Sequence, residues 1–270
     1  MSYKLLLFDL DETLLNLART IDPHNLRVLK KLMQNEVRVS FATGRSPRCA
    51  KQYAELLQPN APLIHFNGAM VRDYKTGQIL ARENLPFKDA LAALRVGADL
   101  KIHANLYLDD DILIAERTPI SKESEIKDGV KHTVVGDLAG HLTKSGRAPT
   151  KILFIGDPAL FPRFTSLLRQ AFEHECVLVN SEPDYMEVLP VGVNKATGAA
   201  SLAAHLGISL EDVIAFGDNK NDIEMLTECG LGVAMGNSHE TLRAHADKII
   251  GDHDSDAIAV FLEEQFSLDG

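Results

Sequence analysis

A compact apolar run near the amino terminus ends abruptly in two carboxylates, and this pattern restricts the fold more than any other part of the chain. Lys4 to Phe8 is typical of a buried strand, and Asp9 and Asp11 follow it directly. Because alternate side chains of an extended segment point the same way, we expect both carboxylates on one side. Crowding them beside a buried strand costs free energy unless a cation offsets their charge. Taken alone, the pattern also fits a strand ending in a polar turn, with Asp11 or Thr13 as a helix cap.

Apolar strand patterns alternate with helical patterns in the amino-terminal part of the chain. Three strands, near 4–8, 37–42 and 62–66, are separated by two helices, near 26–33 and 47–57. The same alternation returns after residue 190. Strand and helix in regular alternation are typical of a parallel sheet with right-handed crossovers. The following elements are predicted in the carboxyl-terminal part: a helix at 195–206, a strand at 213–216, a helix at 223–228 and a strand at 231–235.

The stretch between these two parts has a different pattern. Neighbouring strands follow one another there without intervening helices, which indicates an antiparallel α+β insert. Its elements are a helix at 87–97, a hairpin at 101–117, a polar stretch at 118–132, a strand at 150–155, a helix at 159–173, and strands at 175–180 and 185–189. The sequence therefore predicts an α/β protein. A doubly wound parallel, Rossmann-like core, residues 1–82 and 186–270, is split by an inserted α+β cap domain, residues 83–185.

Polar side chains gather where the predicted parallel strands end, which is where ligands bind in open α/β sheets. Carboxylates in one cleft repel each other by about 4 kcal/mol per close pair at an effective dielectric constant of about 20. A bound divalent cation relieves this repulsion, and oxygen ligands suit Mg²⁺. Each residue has an ordinary explanation as a turn, a helix start or a solvated side chain, but their coincidence favours phosphoryl transfer. The set consists of Asp9, Asp11, Thr43, Gly44, Arg45, Asn67, Lys195, Asp218, Asn221 and Asp222.

Two parts of this set suit a phosphate group. Thr43 and Gly44 precede a helix, so the hydroxyl and the exposed backbone amides can hold a phosphate, with Arg45 and Asn67 beside them. Lys195 supplies a point charge for the same group. A carboxylate nucleophile, a metal, a cation and an amide cradle are together what phosphoryl transfer requires.

These residues resemble the four ordered motifs of the haloacid dehalogenase-like phosphatases. The first motif corresponds to residues 9–13, the second to Thr43 within 42–45, the third to Lys195 and the fourth to 217–222. The insert between the second and third motifs resembles the Cof-type group, whose type IIB cap stands there. The resemblance implies a phosphatase with a Rossmann-like core and a cap that determines substrate specificity.

The resemblance also implies roles for individual residues. Asp9 would attack the phosphorus to form a phosphoaspartyl intermediate, while Asp11 would protonate the leaving alcohol and then help deprotonate water. Thr43 and Lys195 would hold the transferring phosphoryl group, with Asn221 nearby. The implied Mg²⁺ site consists of Asp9, the backbone carbonyl of Asp11, Asp218 and a supporting Asp222.

Two segments depart from the family pattern. Glu12 stands where the family more often has glycine, which adds a side chain and a charge to the turn after Asp11. The run 255–258 replaces an Asp-Gly-Val pattern found in many members. Neither departure touches a proposed catalytic group, but both weaken any transfer of substrate identity from one relative.

One predicted strand of the insert has two different faces. If Ala104, Leu106 and Leu108 pack on helices, the alternate residues form a polar face. We hypothesise that residues of this face contact the leaving group of the substrate, with a solvent-facing polar face as the alternative. The polar face consists of His103, Asn105, Tyr107 and Asp109, of which His103 and Tyr107 are the candidates.

Composition limits the classes of function. The formal net charge of −10 argues against nucleic acid as a main partner, because phosphate backbones bind basic surfaces. The three cysteines are far apart and show no metal spacing, so reduced thiols are expected. Signal peptides and bilayer-spanning runs are not expected either. We therefore expect a cytoplasmic protein with no membrane partner. The sequence leaves its oligomeric state open.

Three functions remain open at this point. The leading one is a Mg²⁺-dependent phosphatase of small phosphorylated metabolites, such as sugar phosphates or pyridoxal phosphate, which are substrates of similar proteins. A phosphosugar mutase or phosphotransferase of the same superfamily is the close alternative. A phospho-accepting signalling module also uses a strand-end aspartate with Mg²⁺, but it needs neither Asp11 nor an insert of this length.

Overall fold

The structure is a computed structural model that describes residues 3–268. Its strands are β1 (Leu5–Phe8), β2 (Arg38–Phe41), β3 (Leu63–His65), β4 (Met70–Arg72), β5 (Ile79–Arg82), β6 (His103–Leu108), β7 (Asp111–Ile114), β8 (Thr133–Val134), β9 (Lys151–Ile155), β10 (Cys176–Glu182), β11 (Tyr185–Pro190), β12 (Val213–Gly217), β13 (Leu231–Ala234) and β14 (Lys248–Ile249). Its α-helices are α1 (Pro23–Gln34), α2 (Pro47–Leu57), α3 (Phe87–Asp99), α4 (Pro119–Asp128), α5 (Leu138–Ser145), α6 (Phe161–Ala171), α7 (Lys195–Leu206), α8 (Ile223–Glu228), α9 (Glu240–Arg243) and α10 (Ala257–Phe266).

The chain folds into two compact units. The smaller unit contains residues 46–49 and 82–193, and the larger unit contains the rest of the described chain. The predicted division places the second boundary at 185/186, and the structure moves it to 193/194. The reason is β11, which pairs with β9 and β10 and therefore belongs to the sheet of the smaller unit.

The larger unit is built on a five-stranded sheet in the order β14-β13-β12-β1-β2. Every ladder in it is parallel, and Leu5 of β1 lies between Val213 of β12 and Arg38 of β2. From β1 the chain proceeds to β2 on one side, whereas the later strands lie on the other. The strand order therefore reverses between β1 and β12, and crevices at such reversals bind ligands. This topology confirms the doubly wound α/β core.

Alternate residues of β1 enter two different hydrophobic cores, which explains why the whole strand is apolar. Leu6 and Phe8 pack in one core with residues of α1, α2 and α10. Leu5 and Leu7 pack in the other core with residues of α7, α8 and α9. A strand buried on both faces leaves polar residues room only beyond its ends, which is where Asp9 stands.

The third predicted strand does not extend the parallel sheet. β3 pairs antiparallel with β4 in a three-stranded sheet of order β3-β4-β5. An isolated bridge between Ala42 and Ile64 joins it to the end of β2. β3 pairs with β4 because the chain reverses direction directly after β3, where Asn67 and Gly68 both have positive φ.

The smaller unit contains a six-stranded sheet in the order β10-β11-β9-β6-β7-β8. Its ladders are antiparallel from β10 to β7, and β8 is parallel to β7. One face of the sheet forms a hydrophobic core with residues of α3, α5 and α6. The predicted antiparallel α+β character of the insert is therefore confirmed.

Candidate active site

Asp9 is the first residue after β1, at the carboxyl edge of the parallel sheet. Its backbone N–H donates to the Phe216 carbonyl of β12 at 2.9 Å, which continues the ladder one residue beyond the strand. The Asp9 residue is only 8% exposed. The chain then turns, and the Leu14 N–H returns to the Asp9 carbonyl at 3.3 Å. This loop holds the carboxylate against the edge of the sheet.

Lys195 lies between two buried carboxylates. It is the first residue of α7, and the preceding Asn194 caps that helix in a capping box with Thr197. The Lys195 ammonium donates to Asp9 Oδ1 at 2.5 Å and to Asp222 Oδ1 at 2.6 Å. Burial alone would lower the pKa of Lys195, but the Asp222 and Asp9 carboxylates raise it above its usual value. The lysine therefore stays charged in a site where it is 1% exposed.

Three aspartates of the larger unit form a compact carboxylate cluster. One oxygen each of Asp9, Asp218 and Asp222 lies within 4.8 Å of the other two. Burial raises the pKa of Asp9 well above its usual value, against the opposing charge of Lys195 and with the help of the other carboxylates. Burial, followed by the charge of Asp222, raises the pKa of Asp218 to about 6. Three buried carboxylates beside one buried lysine are a set of oxygen donors that fits a divalent cation site.

Asp222 differs from the other two aspartates in its contacts. Its Oδ1 accepts from Lys195, and its Oδ2 accepts from the backbone N–H groups of Asp218 and Asn219 at 3.1 and 3.0 Å. The residue is fully buried. With both oxygens engaged, Asp222 fixes the lysine and the 218–219 turn.

Thr13 makes a hydrogen bond in the site that the sequence does not predict. Its hydroxyl donates to Asp218 Oδ1 at 2.9 Å, and Thr13 is itself buried. This bond ties the loop after Asp9 to the loop after β12. Thr13 stands inside the first motif, but spacing alone gives no sign of the contact.

The Arg45 guanidinium forms an ion pair with the Asp11 carboxylate. Its Nε and Nη2 donate to the two Asp11 carboxylate oxygens at 2.8 and 2.7 Å in a bidentate pair. Burial acts to raise the pKa of Asp11, but the hydrogen bonds and charge of Arg45 leave it lowered. The sequence predicts Arg45 in a phosphate cradle, whereas the structure places its guanidinium on the carboxylate two residues after Asp9. Asp11 is therefore held in its ionised form.

The second motif brings Thr43 and Asn67 together. Thr43 is 1% exposed, and its hydroxyl accepts from the Arg45 N–H at 3.1 Å. The Asn67 N–H donates to the Thr43 carbonyl at 3.0 Å, and the Asn67 side chain accepts from Asn221 at 3.1 Å. The Gly44 Cα lies close enough that a Cβ there would meet the Asn67 side chain at 3.3 Å. The structure thus brings Thr43, Gly44, Asn67 and Asn221 into one neighbourhood.

Glu12, which departs from the family pattern, occupies a left-handed conformation. Its φ is +57°, where glycine is favoured. Asn237 contributes to this conformation, because its side-chain amide donates to the Glu12 carbonyl at 2.8 Å. The Asn237 side-chain oxygen also accepts from the His253 N–H at 3.0 Å.

His103 and Tyr107, the candidates of the insert, lie on β6 in the smaller unit. Burial lowers the pKa of His103, whose Nε2 lies 2.9 Å from Asn105 Oδ1. Burial also raises the pKa of Tyr107 well above its usual value. Asn105 is fully buried and Tyr107 is 4% exposed, so the alternative of a solvent-facing polar strand is wrong for both.

Two further findings bear on the expectations from composition. Cys49, Cys176 and Cys229 are free thiols. Across the described part of the chain, residues 3–268, no helix is both long enough and apolar enough to span a bilayer.

Comparison with known proteins gives consistent matches over nearly the whole chain. The family model for haloacid dehalogenase-like hydrolases matches residues 6–262. An HMP-PP phosphatase of Escherichia coli strain K12 is 32% identical over 261 residues, covering 96% of this chain and 94% of that protein. A haloacid dehalogenase-like hydrolase from Bacteroides thetaiotaomicron superposes with a TM-score of 0.90 at 25% identity, covering 98% of this chain and 100% of that one. A Thermotoga maritima protein superposes with a TM-score of 0.87 at 27% identity, covering 97% of each chain. The chain belongs to the haloacid dehalogenase-like hydrolases, in their Cof-type group, and is therefore an enzyme.

Proposed function

We propose that this enzyme is a Mg²⁺-dependent phosphatase that hydrolyses small phosphomonoesters through a phosphoaspartyl intermediate. The chain is a phosphatase-type hydrolase of its superfamily; the metal, the intermediate and the substrate class are the proposal. The observation that supports it best is the buried Lys195 between Asp9 and Asp222. A fixed cation beside a strand-end carboxylate offsets the repulsion that a phosphoryl dianion meets there.

In the first half-reaction, a carboxylate oxygen of Asp9 attacks the phosphorus. The new bond joins that oxygen to phosphorus, and the bond from phosphorus to the ester oxygen breaks. Asp11 first takes up a proton from solvent, which requires that its pair with Arg45 opens, and then passes this proton to the leaving alkoxide. Thr43 and Lys195 hold the phosphoryl oxygens, with Gly44, Asn67 and Asn221 next to Thr43 in the larger unit.

In the second half-reaction, water attacks the phosphoaspartyl group and regenerates the Asp9 carboxylate. Asp11 takes a proton from that water, and inorganic phosphate leaves. The structure supports this part directly, because the bidentate Arg45 pair keeps Asp11 ionised, the form that accepts a proton. Arg45 thus acts on Asp11 in this proposal, besides any contact with phosphate.

The carboxylate cluster fits a Mg²⁺ site. Asp9 and Asp218 would provide side-chain oxygens and Asp11 its backbone carbonyl, while Asp222 would support the site through Lys195 and the 218–219 turn. When bound, Mg²⁺ would offset charge on the phosphoryl oxygens and fix their position.

For the substrate we propose a small phosphorylated metabolite, of the sugar phosphate or pyridoxal phosphate class. Residues 82–193 are proposed as the cap, with His103 and Tyr107 contacting the leaving group. Action in the cytoplasm and the absence of nucleic-acid and membrane partners stay predictions from the sequence. HMP-PP, the compound in the name of the Escherichia coli relative, belongs in any substrate panel.

The test is phosphate release from a panel of phosphorylated metabolites, with Mg²⁺ and with EDTA. We expect release with Mg²⁺ alone, and Asp9→Asn abolishes it while circular dichroism shows an unchanged fold. Asp212→Asn is the matched control, because this aspartate pairs with Lys4 in the same unit, away from the cluster. Full activity of Asp9→Asn would refute the nucleophile. Transfer to a second sugar without phosphate release would indicate a mutase instead.

A further inference from the structure

The loop that follows β13, residues 235–239, contacts two loops that carry carboxylates of the cluster. The side-chain amide of Asn237 donates to the Glu12 carbonyl at 2.8 Å, in the loop after β1. The His239 N–H donates to the Asp218 carbonyl at 2.8 Å, in the loop after β12. The proposed metal ligands stand in these same two loops. Residues 235–239 are therefore termed the bridging loop.

The bridging loop is itself held in place by its neighbours in the larger unit. The Gly236 N–H donates to the Gly251 carbonyl at 2.8 Å, and the Arg243 guanidinium donates to the Gly236 carbonyl. The side-chain oxygen of Asn237 accepts from the His253 N–H at 3.0 Å. The Asn237 amide is thus fixed at its oxygen by one segment of backbone, which directs its nitrogen at another.

The backbone that receives this hydrogen bond is in a strained conformation. Glu12 has a φ of +57°, in the left-handed region that disfavours any residue with a side chain. Its φ and ψ determine how the Asp11 carbonyl is oriented relative to the Glu12 carbonyl. A hydrogen bond that holds the Glu12 carbonyl in this conformation therefore also fixes the direction of the Asp11 carbonyl.

We propose that Asn237 is a positioning residue for the metal, because its amide keeps the Asp11 carbonyl in the orientation that Mg²⁺ binding requires. This inference rests on the proposed phosphatase function, since it concerns the same metal site. Asn237 acts through the Glu12 backbone and does not bind the metal itself. Residues that orient metal ligands in this way contribute about 10- to 100-fold to metal affinity. The bond also explains how this chain holds a glutamate where the resembling sequences more often have glycine.

The test measures Mg²⁺ affinity without turnover, from the rise of the melting temperature with Mg²⁺ concentration. The buffer contains about 0.5 M KCl, which screens exposed charges. We expect Asn237→Ala to raise the Kd for Mg²⁺ by about 10-fold or more. Circular dichroism without Mg²⁺ checks that the variant is folded.

Asn60→Ala is the matched control, because its amide makes the same two kinds of bond near the amino end of β2. The Asn60 side chain accepts from the Val39 N–H at 2.8 Å and donates to the Val37 carbonyl at 3.0 Å. Its loss should lower the melting temperature without Mg²⁺. The Kd for Mg²⁺ should change by less than about twofold, as for independent sites. A purely structural role of Asn237 would give this same result.

Two further variants test the route through Glu12. Glycine adopts positive φ without strain, so Glu12→Gly/Asn237→Ala should bind Mg²⁺ more tightly than Asn237→Ala alone. If the alanine variant does not fold, Asn237→Asp takes its place in the titration. Aspartate keeps the acceptor for the His253 N–H and loses the donor to Glu12, so its Kd should also rise.

The outcomes separate this inference from the function on which it rests. A wild-type protein that binds no Mg²⁺ defeats the proposed metal site, and the inference with it. Where the wild type binds Mg²⁺, three results overturn the inference alone. The folded Asn237 variant has a Kd within about twofold of the wild type. Asn60→Ala raises the Kd as much as Asn237→Ala does. The double variant binds Mg²⁺ no more tightly than Asn237→Ala.

Discussion

Removing the charge of Lys195 should strongly destabilise the protein in metal-free buffer. Lys195→Met keeps most of the side-chain volume and leaves Asp9 and Asp222 without their shared cation. Breaking a buried ion pair from one side costs about 3–5 kcal/mol, because the remaining charge is neither solvated nor paired. The direct repulsion of two carboxylates about 4 Å apart, about 4 kcal/mol at an effective dielectric constant of about 20, agrees with that range.

The assay is urea unfolding followed by circular dichroism, in EDTA. With a slope of about 3 kcal/mol per molar urea, this loss lowers the first unfolding midpoint by about 1–1.7 M. Lys4→Met is the matched control, because Lys4 pairs with Asp212 through a largely exposed side chain. An exposed pair contributes at most about 1 kcal/mol, so its midpoint should fall by no more than about 0.3 M.

The loss should also depend on pH, with a defined sign. Burial already raises the pKa of Asp9, and Lys195 is the group that opposes this rise most. Without the lysine, folded Asp9 binds its proton to higher pH than the unfolded chain does, so stability falls as pH rises. The destabilisation should therefore be greater at pH 8 than at pH 5. A midpoint equal to that of Lys4→Met, or a larger loss at pH 5, would refute this account of the site.

Three smaller changes test other parts of the larger unit. Glu12→Gly removes the backbone strain of a non-glycine residue at positive φ, so it should raise the free energy of unfolding by up to about 1 kcal/mol. A lower free energy of unfolding would show that Glu12 is not strained. Gly68→Ala should lower the free energy of unfolding by about 2–4 kcal/mol, because φ is +105° and a Cβ would meet the Asn194 carbonyl oxygen at 1.9 Å. An unchanged urea midpoint would contradict that close contact. Asp256 and a second carboxylate raise the pKa of His24, so its stabilisation is complete below about pH 6.5 and is lost as pH rises through the folded pKa. The melting temperatures of wild type and His24→Gln should therefore differ more at pH 5.5 than at pH 9, and a constant difference would exclude this linkage.

Much of the larger unit could be predicted because its sheet is parallel and buried on both faces. Such strands are short apolar runs bounded by turn residues, so β1, β2, β12 and β13 can be recognised directly. The helix at 195–206 is predicted with the bounds of α7, since Asn194 and Gly207 cap its two ends. Once these strands are recognised, the positions of the motif residues at their carboxyl ends can be predicted as well.

The helix α4 was missed for the opposite reason. Its sequence is polar, so periodicity gives no amphipathic signal, and the prediction describes 118–132 only as a polar stretch. Capping does mark it, since Thr118 and Ser121 form a capping box and Gly129 adopts the left-handed conformation that ends the helix. The two-residue strand β14 carries even less local information, because only its pairing with β13 defines it.

Asp222 shows where sequence reasoning about the site reaches its limit. Residue type alone does not distinguish it from Asp218; both are predicted at the metal site, and only the family resemblance gives Asp222 the supporting role. Their difference comes from a backbone approach: a Cβ on Gly217 would lie 2.5 Å from the Asp222 Cβ, so only glycine lets the turn close this tightly. The closed turn directs two backbone N–H groups at Asp222 Oδ2, while Lys195 takes Oδ1. Asp218 keeps one oxygen on Thr13 and lies at the less enclosed side of the cluster. Asp218 and Asp222 thus have different contacts although their side chains are identical, because the tight turn that Gly217 allows brings backbone N–H groups to Asp222.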